Sequence, residues 1–233
     1  MDDTKTALIT GGSAGFGRAV ALALAERGWQ VIITGRHDGP LARVAAQASG
    51  ITACQGDVTD AAHREQLRAE IATRGRLDLL LNNASALGPS PMPALVRYPE
   101  AELATVFATN VLAPLALISA LLEPVSRAGG AIVNVSSDAA VEAYEGWGGY
   151  GAAKAALDHA TAVLAVEQPQ LSVYAFDPGD MRTAMHQAAF PGEDISDRPE
   201  PATVVPALLR LLDTRPGSGR YRAADLLTGA VSS

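Results

Sequence analysis

The feature that most constrains this chain is a glycine-rich turn near its start. The apolar run Ala7 to Thr10 leads into Gly11-Gly12-Ser13-Ala14-Gly15-Phe16-Gly17, and helical spacing begins at once with Arg18-Ala19-Val20. The first amides of such a helix have no carbonyl partners, and they attract negative charge to the turn. Glycine lets the backbone approach a pyrophosphate and lets the helix pack against the strand. The spacing here is Gly-x-x-x-Gly-x-Gly, not the commoner Gly-x-Gly-x-x-Gly.

The rest of the chain alternates short apolar runs with helical spacing. Ala7 to Thr10, Val31 to Thr34, Ile51 to Cys54, Leu77 to Leu81, Ala131 to Val135 and Leu171 to Phe176 read as strands buried on both faces. Helical spacing fills Phe16 to Arg27, Leu41 to Ala48, Ala61 to Arg74, Ala101 to Arg127, Tyr150 to Glu167 and Ala202 to Leu212. Repeated strand and helix predict right-handed βαβ units. The expected fold is α/β, a Rossmann-like doubly wound parallel sheet flanked by helices on both faces. No repeat or linker interrupts the pattern, so residues 1–233 are expected to form a single domain. The one long irregular segment, 177–201, is rich in Pro, Gly, Asp and Met and reads as a substrate loop.

Composition narrows the partners. A formal net charge of −7, without any block of Lys or Arg, argues against nucleic acid. Cys54 is the single cysteine, so no intrachain disulfide is expected, and no signal-peptide pattern precedes the first apolar run. Val111 to Leu122, the longest near-apolar stretch, is broken by Pro114 and is shorter than the ~20 residues a bilayer requires. It reads as a core helix of a soluble, cytoplasmic protein with no membrane partner and no metal site.

The second strand ends Ile32-Ile33-Thr34-Gly35-Arg36, where an NAD-preferring site would place an acid on the ribose 2′-hydroxyl. Gly35 leaves room and Arg36 offers a planar cationic fork suited to a phosphate, so NADP(H) is expected over NAD(H). Asp57-Val58 follows the third strand, where a carboxylate can accept from an adenine amino group. Asn82-Asn83-Ala84-Ser85 follows the fourth, at the carboxyl edge of the sheet.

Tyr150-Gly151-Ala152-Ala153-Lys154 sets Tyr and Lys at i and i+4, on one face of a helix. A nearby ammonium stabilises a phenolate and would lower the Tyr pKa, making it a usable acid/base. The chain has only two lysines, Lys5 and Lys154, against sixteen arginines, so a lysine here is not routine surface charge. Ser137 ends the fifth strand thirteen residues earlier and could hold a substrate oxygen. Asn110 interrupts a helical stretch as a poor helix former, and its backbone or side chain could anchor a water.

Together these residues resemble the short-chain dehydrogenase/reductase family, from Thr6 to about Ala224. The resemblance implies that Gly11, Gly15 and Gly17, with Ser13 and Phe16 in the same turn, bind the pyrophosphate of the cofactor. It implies that Asp57 and Val58 contact adenine, that Asn83 borders the ribose, and that Pro178, Gly179 and Thr183 flank the nicotinamide. It further implies a tetrad of Asn110, Ser137, Tyr150 and Lys154. In it Ser137 orients the substrate oxygen, Tyr150 transfers the proton, Lys154 binds the ribose and lowers the Tyr pKa, and Asn110 holds a water. The activity expected is hydride exchange between NADP(H) and a small carbonyl or alcohol.

Three departures stand out. Ser85 replaces the usual glycine after Asn-Asn-Ala, Asp177 and Asp180 flank the Pro-Gly turn, and Gly219-Arg220-Tyr221-Arg222 replaces an Asp-Gly-Gly tail. A homodimer or homotetramer is expected, paired through the two long helices from Ala101 and Tyr150. Nearness in sequence marks Ser85, Leu87, Met92, Asp138, Tyr144, Trp147, Met181, Met185 and Phe190 as candidate pocket walls. An epimerase or dehydratase on the same fold, or a nicotinamide-binding sensor, remains an alternative.

Overall fold

Seven runs form strands: β1 (Thr6–Thr10), β2 (Gln30–Gly35), β3 (Ile51–Gln55), β4 (Leu79–Asn82), β5 (Ala131–Val135), β6 (Ser172–Asp177) and β7 (Gly219–Arg222). They join in one parallel sheet of order β3-β2-β1-β4-β5-β6-β7 in this computed structural model, which describes residues 4–228. Residues 1–3 and 229–233, included in the single-domain reading, lie outside the described residues. The order reverses between β1 and β4, and such a switch point opens a crevice at the carboxyl ends of the strands.

Nine α-helices accompany the sheet among the described residues: α1 (Gly15–Glu26), α2 (Asp38–Ala45), α3 (Ala61–Arg74), α4 (Glu100–Phe107), α5 (Ala113–Ala128), α6 (Gly148–Glu167), α7 (Ala184–Ala189), α8 (Pro201–Thr214) and α9 (Ala223–Thr228). Successive strand residues point to opposite faces, and both faces are covered. Ala7, Ile9, Val31, Ile33 and Phe176 pack with Val20 and Leu24 of α1 and Leu208 and Leu211 of α8. Leu8, Ile32, Leu80 and Ile132 pack with Leu67 and Ile71 of α3 and Leu117 and Leu121 of α5. This is the doubly wound α/β architecture read from the sequence.

Four differences from that reading have physical causes. Strand β7 and helix α9 were not anticipated: β7 is a partly exposed edge strand with no buried position, so it carries no apolar run. The helix expected from Ala101 to Arg127 is interrupted by a π-helical turn at Ala108–Leu112, centred on Asn110. The segment after β4, from Asn83 to Pro99, is also long and irregular, with one short 3₁₀ turn at Leu95–Arg97. Conversely, 177–201 is not wholly irregular, since it contains α7. The stretch Glu100–Ala128 is long and apolar enough to cross a membrane, but Leu117, Ile118, Leu121 and Val125 lock it into the core. It is a buried core helix.

Polar ties fix α6 to the sheet. Asn82 Nδ2 of β4 donates to Asn134 Oδ1 of β5 at 2.8 Å, and Asn134 Nδ2 donates to Thr161 Oγ1 of α6 at 2.8 Å. Thr161 Oγ1 in turn donates to the Leu157 carbonyl at 2.7 Å. A buried polar group deprived of its partner bears its desolvation cost without compensation. Asn134→Leu should therefore lower stability by about 3 kcal/mol in urea unfolding, by leaving the Asn82 amide unpaired. A loss below about 0.5 kcal/mol would show that this chain of bonds does not hold α6.

Candidate active site

A cleft of about 290 Å³ lies at the carboxyl ends of β1, β4, β5 and β6. Its cradle is built by absent side chains. Gly11 has φ +66°, and a Cβ there would meet Asn83 Nδ2 at 2.9 Å and the Ala84 backbone at 3.0 Å. A Cβ on Gly17 would lie 2.5 Å from the Gly11 carbonyl oxygen. Asn83 closes this junction by donating from Nδ2 to the carbonyls of Thr10 (2.9 Å) and Gly11 (3.2 Å). Ala14 precedes α1 without a side-chain cap, and no acid occupies the first turn. The amides that open α1 are thus free for an anionic ligand, which fits a cofactor pyrophosphate.

Gly11, Gly15, Phe16 and Asn83 line the cleft, as do Pro178, Gly179 and Thr183 on the opposite side. Thr183 also caps α7, accepting from the His186 amide at 3.1 Å. Ser13, Gly17, Arg36, Asp57 and Val58 do not line it. Ser13 lies beside Gly35, Arg36 is exposed at the end of β2, and Val58 is buried in the core. Burial alone would raise the Asp57 carboxyl, but hydrogen bonds from the Thr59 amide and hydroxyl, with the Arg36 charge, hold it below the usual range.

The chemical residues converge on the other wall. Tyr150 and Lys154 stand one turn apart on α6, with Lys154 Nζ 5.5 Å from the Tyr150 ring centre. Lys154 is buried and donates to the Val135 carbonyl at 2.7 Å. Burial pushes the Lys154 ammonium down to about 8, against the attraction of Asp158 and Asp177. Burial pushes the Tyr150 phenol up to about 12, while the neighbouring Ser85 and Ser137 hydroxyls oppose that rise. Desolvation is the largest influence on the Tyr150 phenol in this geometry.

Ser137 lines the same cleft, its Oγ donating to Asp138 Oδ1 at 2.9 Å. Asn110 does not line it. Its Oδ1 accepts from the Ala86 amide (2.7 Å) and Ser85 Oγ (3.2 Å), and its Nδ2 donates to the Ala86 carbonyl (2.9 Å). Of the two readings of Asn110, the side chain is engaged in stapling the loop after β4. Its backbone carbonyl is different: Pro114, four residues on, has no N–H to give it.

Among the candidate walls, Ser85, Leu87, Asp138, Trp147, Met181 and Met185 line the cleft. Met92, Tyr144 and Phe190 stand behind, packed against Trp147 or its cluster. Sequence reasoning noted Ser85 only as a departure and a wall, and missed its bond to Asn110. It also missed Asp158 and Arg220, whose polar groups lie behind Ser137.

Comparison with known proteins places this geometry in context. The family profile described as short chain dehydrogenase matches residues 5–194. An uncharacterised oxidoreductase of Mycobacterium tuberculosis is 35% identical over 212 residues, 86% of this chain and 78% of the relative. Sepiapterin reductase of Meriones unguiculatus is 35% identical over 199 residues, 78% of this chain and 76% of the relative. The crystal structure of a short chain dehydrogenase from Shigella flexneri, complexed with NADP, superposes with a TM-score of 0.88 at 32% identity, covering 94% of this chain and 97% of that one.

Removal of the Asn110 staple is expected to be felt in folding. Asn110→Ala leaves the Ala86 amide and carbonyl unpaired and should cost about 2 kcal/mol in urea unfolding. An unchanged midpoint would show that water replaces the amide without loss.

Proposed function

The chain belongs to the short-chain dehydrogenase family, and from that premise we propose that it is an NADP(H)-dependent oxidoreductase interconverting a carbonyl and an alcohol. The observation that carries the reading is the meeting of Ser137, Tyr150 and Lys154 with the glycine cradle in one cleft. Gly11, Gly15 and Gly17, with Ser13 and Phe16, would hold the pyrophosphate, Asp57 and Val58 the adenine, and Asn83 the ribose region. Pro178, Gly179 and Thr183 would flank the nicotinamide. Arg36 would pair the 2′-phosphate, in keeping with NADP and NADPH in similar structures. When bound, the cofactor supplies or accepts the hydride.

The protein's own groups handle the proton. Ser137 Oγ orients the substrate oxygen toward the Tyr150 hydroxyl, which gives its proton during reduction and takes it back during oxidation. Lys154 is held by the Val135 carbonyl at the floor, with its remaining N–H groups available to the cofactor ribose. Asn110 acts through its backbone carbonyl and through the Ser85–Ala86 loop. The segment 177–201, with Met181 and Met185 facing the cleft, is the substrate loop of this reading. Exposed Leu112 and Leu115 near the start of α5, with Val163 and Val166 on α6, offer apolar surface for pairing two copies into a homodimer.

Three measurements test these assignments. Absorbance of reduced nicotinamide, followed against a panel of ketones, aldehydes and diketones, should fall with NADPH and fall at least about 100-fold more slowly in Tyr150→Phe. Substrate turnover without net loss of NADPH would overturn the reading in favour of an epimerase. Arg36→Ala should weaken NADPH at least about tenfold and NADH little, and equal losses would remove Arg36 from the phosphate site. Because the Tyr150 phenol lies far above neutrality, its protonated form prevails at pH 7 and the phenolate grows as pH rises. Reduction should thus be flat from about pH 6 to 7 and fall as the Lys154 ammonium loses its proton near 8, while oxidation should climb between about pH 6 and 7. An oxidation rate that falls with rising pH would count against Tyr150 as the base.

A further inference from the structure

Arg220 reaches the chemical wall from the far edge of the sheet. It lies on β7, opposite Ala175 of β6. Its Nε donates to Asp158 Oδ2 of α6 at 3.0 Å. Its Nη2 donates to the Ser137 carbonyl at 2.9 Å and to Asp177 Oδ2, at the end of β6, at 2.9 Å. Each of those partners holds a second group. Asp158 Oδ2 also accepts from Ser136 Oγ at 2.8 Å, and Asp177 Oδ1 accepts from the Gly179 amide at 3.0 Å.

We propose that Arg220 is a positioning residue for the proton-transfer site, one guanidinium that fixes the backbone of Ser137, the helix carrying Tyr150 and Lys154, and the Pro178–Gly179 turn. The role assigned to the fixed site rests on the carbonyl reductase reading; the clasp itself does not. A planar guanidinium can satisfy three acceptors in fixed directions, which a lysine ammonium on a flexible stem does less well. The three acceptors belong to three elements: the segment after β5, the end of β6, and α6. The side chains of Asp177 and Asp158 are 5% and 13% exposed, so their charges need compensation.

The charge balance gives the clasp a second consequence. Asp158, Asp177, Arg220 and Lys154 form a set of two anions and two cations, and both carboxylates attract the Lys154 proton. The charged groups acting on Lys154 and Tyr150 are Asp158 from α6, Asp177 from β6 and Asp138 after β5, and Arg220 from β7 pairs with the first two. Asp180 and His186 stand across the cleft. Removing Arg220 leaves Lys154 alone against two carboxylates, so it must hold its proton more tightly. Removing the Asp158 charge must do the reverse.

Lys154 can be watched directly because the chain has one other lysine, Lys5. Protein labelled with carbon-13 at the lysine side-chain terminus gives two resonances, assigned by Lys5→Arg, and their pH titration needs neither substrate nor cofactor. Arg220→Met should raise the Lys154 midpoint by about one pH unit, while Asp158→Asn lowers it. Arg220→Lys, which keeps the charge but not the fork, should leave the midpoint near that of the wild type and reduce kcat about tenfold with little change in the KM for NADPH. A folded Arg220→Met whose midpoint rises by less than about half a unit overturns the proposal. If that variant does not fold, an Arg220→Lys whose kcat equals that of the wild type overturns it instead. Failure of the functional reading is separate: it would show as full turnover by Tyr150→Phe, whatever Lys154 titrates to.

Discussion

The close approach of α1 to the end of β1 is the contact on which the rest of the site depends. A helix can begin so near the strand only because Gly17 lacks a side chain, its would-be Cβ falling 2.5 Å from both the Gly11 carbonyl oxygen and Asn83 Nδ2. Held there, the unpaired amides of α1 open at the reversal between β1 and β4, at the sheet edge where a ligand can lie across the crevice. Asn83 closes the junction from the β4 side, and Thr10 Oγ1 accepts from the amides of Asn83 and Ala84, both at 2.9 Å. The contact that packs the helix therefore also makes the cradle. A substitution that disturbs one disturbs the other.

The chemical wall is held by different forces. Helix α6 approaches the segments before it through small residues: a Cβ on Gly151 would lie 2.6 Å from the Ala139 carbonyl, and one on Gly149 would lie 2.4 Å from the Tyr98 ring. Close packing of that kind excludes water from Tyr150 and Lys154, and its cost appears in their proton affinities. Burial disfavours the charged form of each, so the phenol rises and the ammonium falls. Asp158 and Asp177 offset part of this for Lys154, and hydrogen-bonding hydroxyls offset part for Tyr150. Tyr150 and Lys154 thus have their proton affinities set by α6, β6 and two loops at once.

What the sequence revealed follows from how local each signal is. Helix α3 and strand β5 have the expected limits because a capping Asp60, a C-terminal Gly75 and a continuous apolar run mark them within a few residues. Tyr150 and Lys154 were legible because an i, i+4 relation needs only the helix between them. The glycine cradle was legible because strand, turn and helix are contiguous. The π turn was visible only as an out-of-place Asn110, since no residue pattern specifies i to i+5 bonding. The burial of Tyr150 and Lys154 was not legible, because pair spacing says nothing about desolvation. Strand β7 left no apolar trace, and the meeting of Arg220 with Ser137 depends on a register 83 residues apart in the chain.

The two walls also differ in what they let vary. The cradle is made of backbone atoms at contact distances where no side chain fits, so its shape is tied to the fold itself. The wall facing the cradle is a six-residue helix, α7, and the turns around it, held by side-chain contacts such as His186 against Phe190 at 4.8 Å and Ser90 Oγ donating to the Ala188 carbonyl at 2.7 Å. Met181 and Met185 face the cleft from this segment, and methionine adapts its shape to an irregular ligand more readily than a branched side chain. Changes among these residues alter the cleft without reaching Gly11, Gly17 or Asn83. The geometry therefore separates a fixed glycine cradle from an adjustable wall around α7, and Thr183 and Gly179, which line the cleft with both, are where a change on one would first be transmitted to the other.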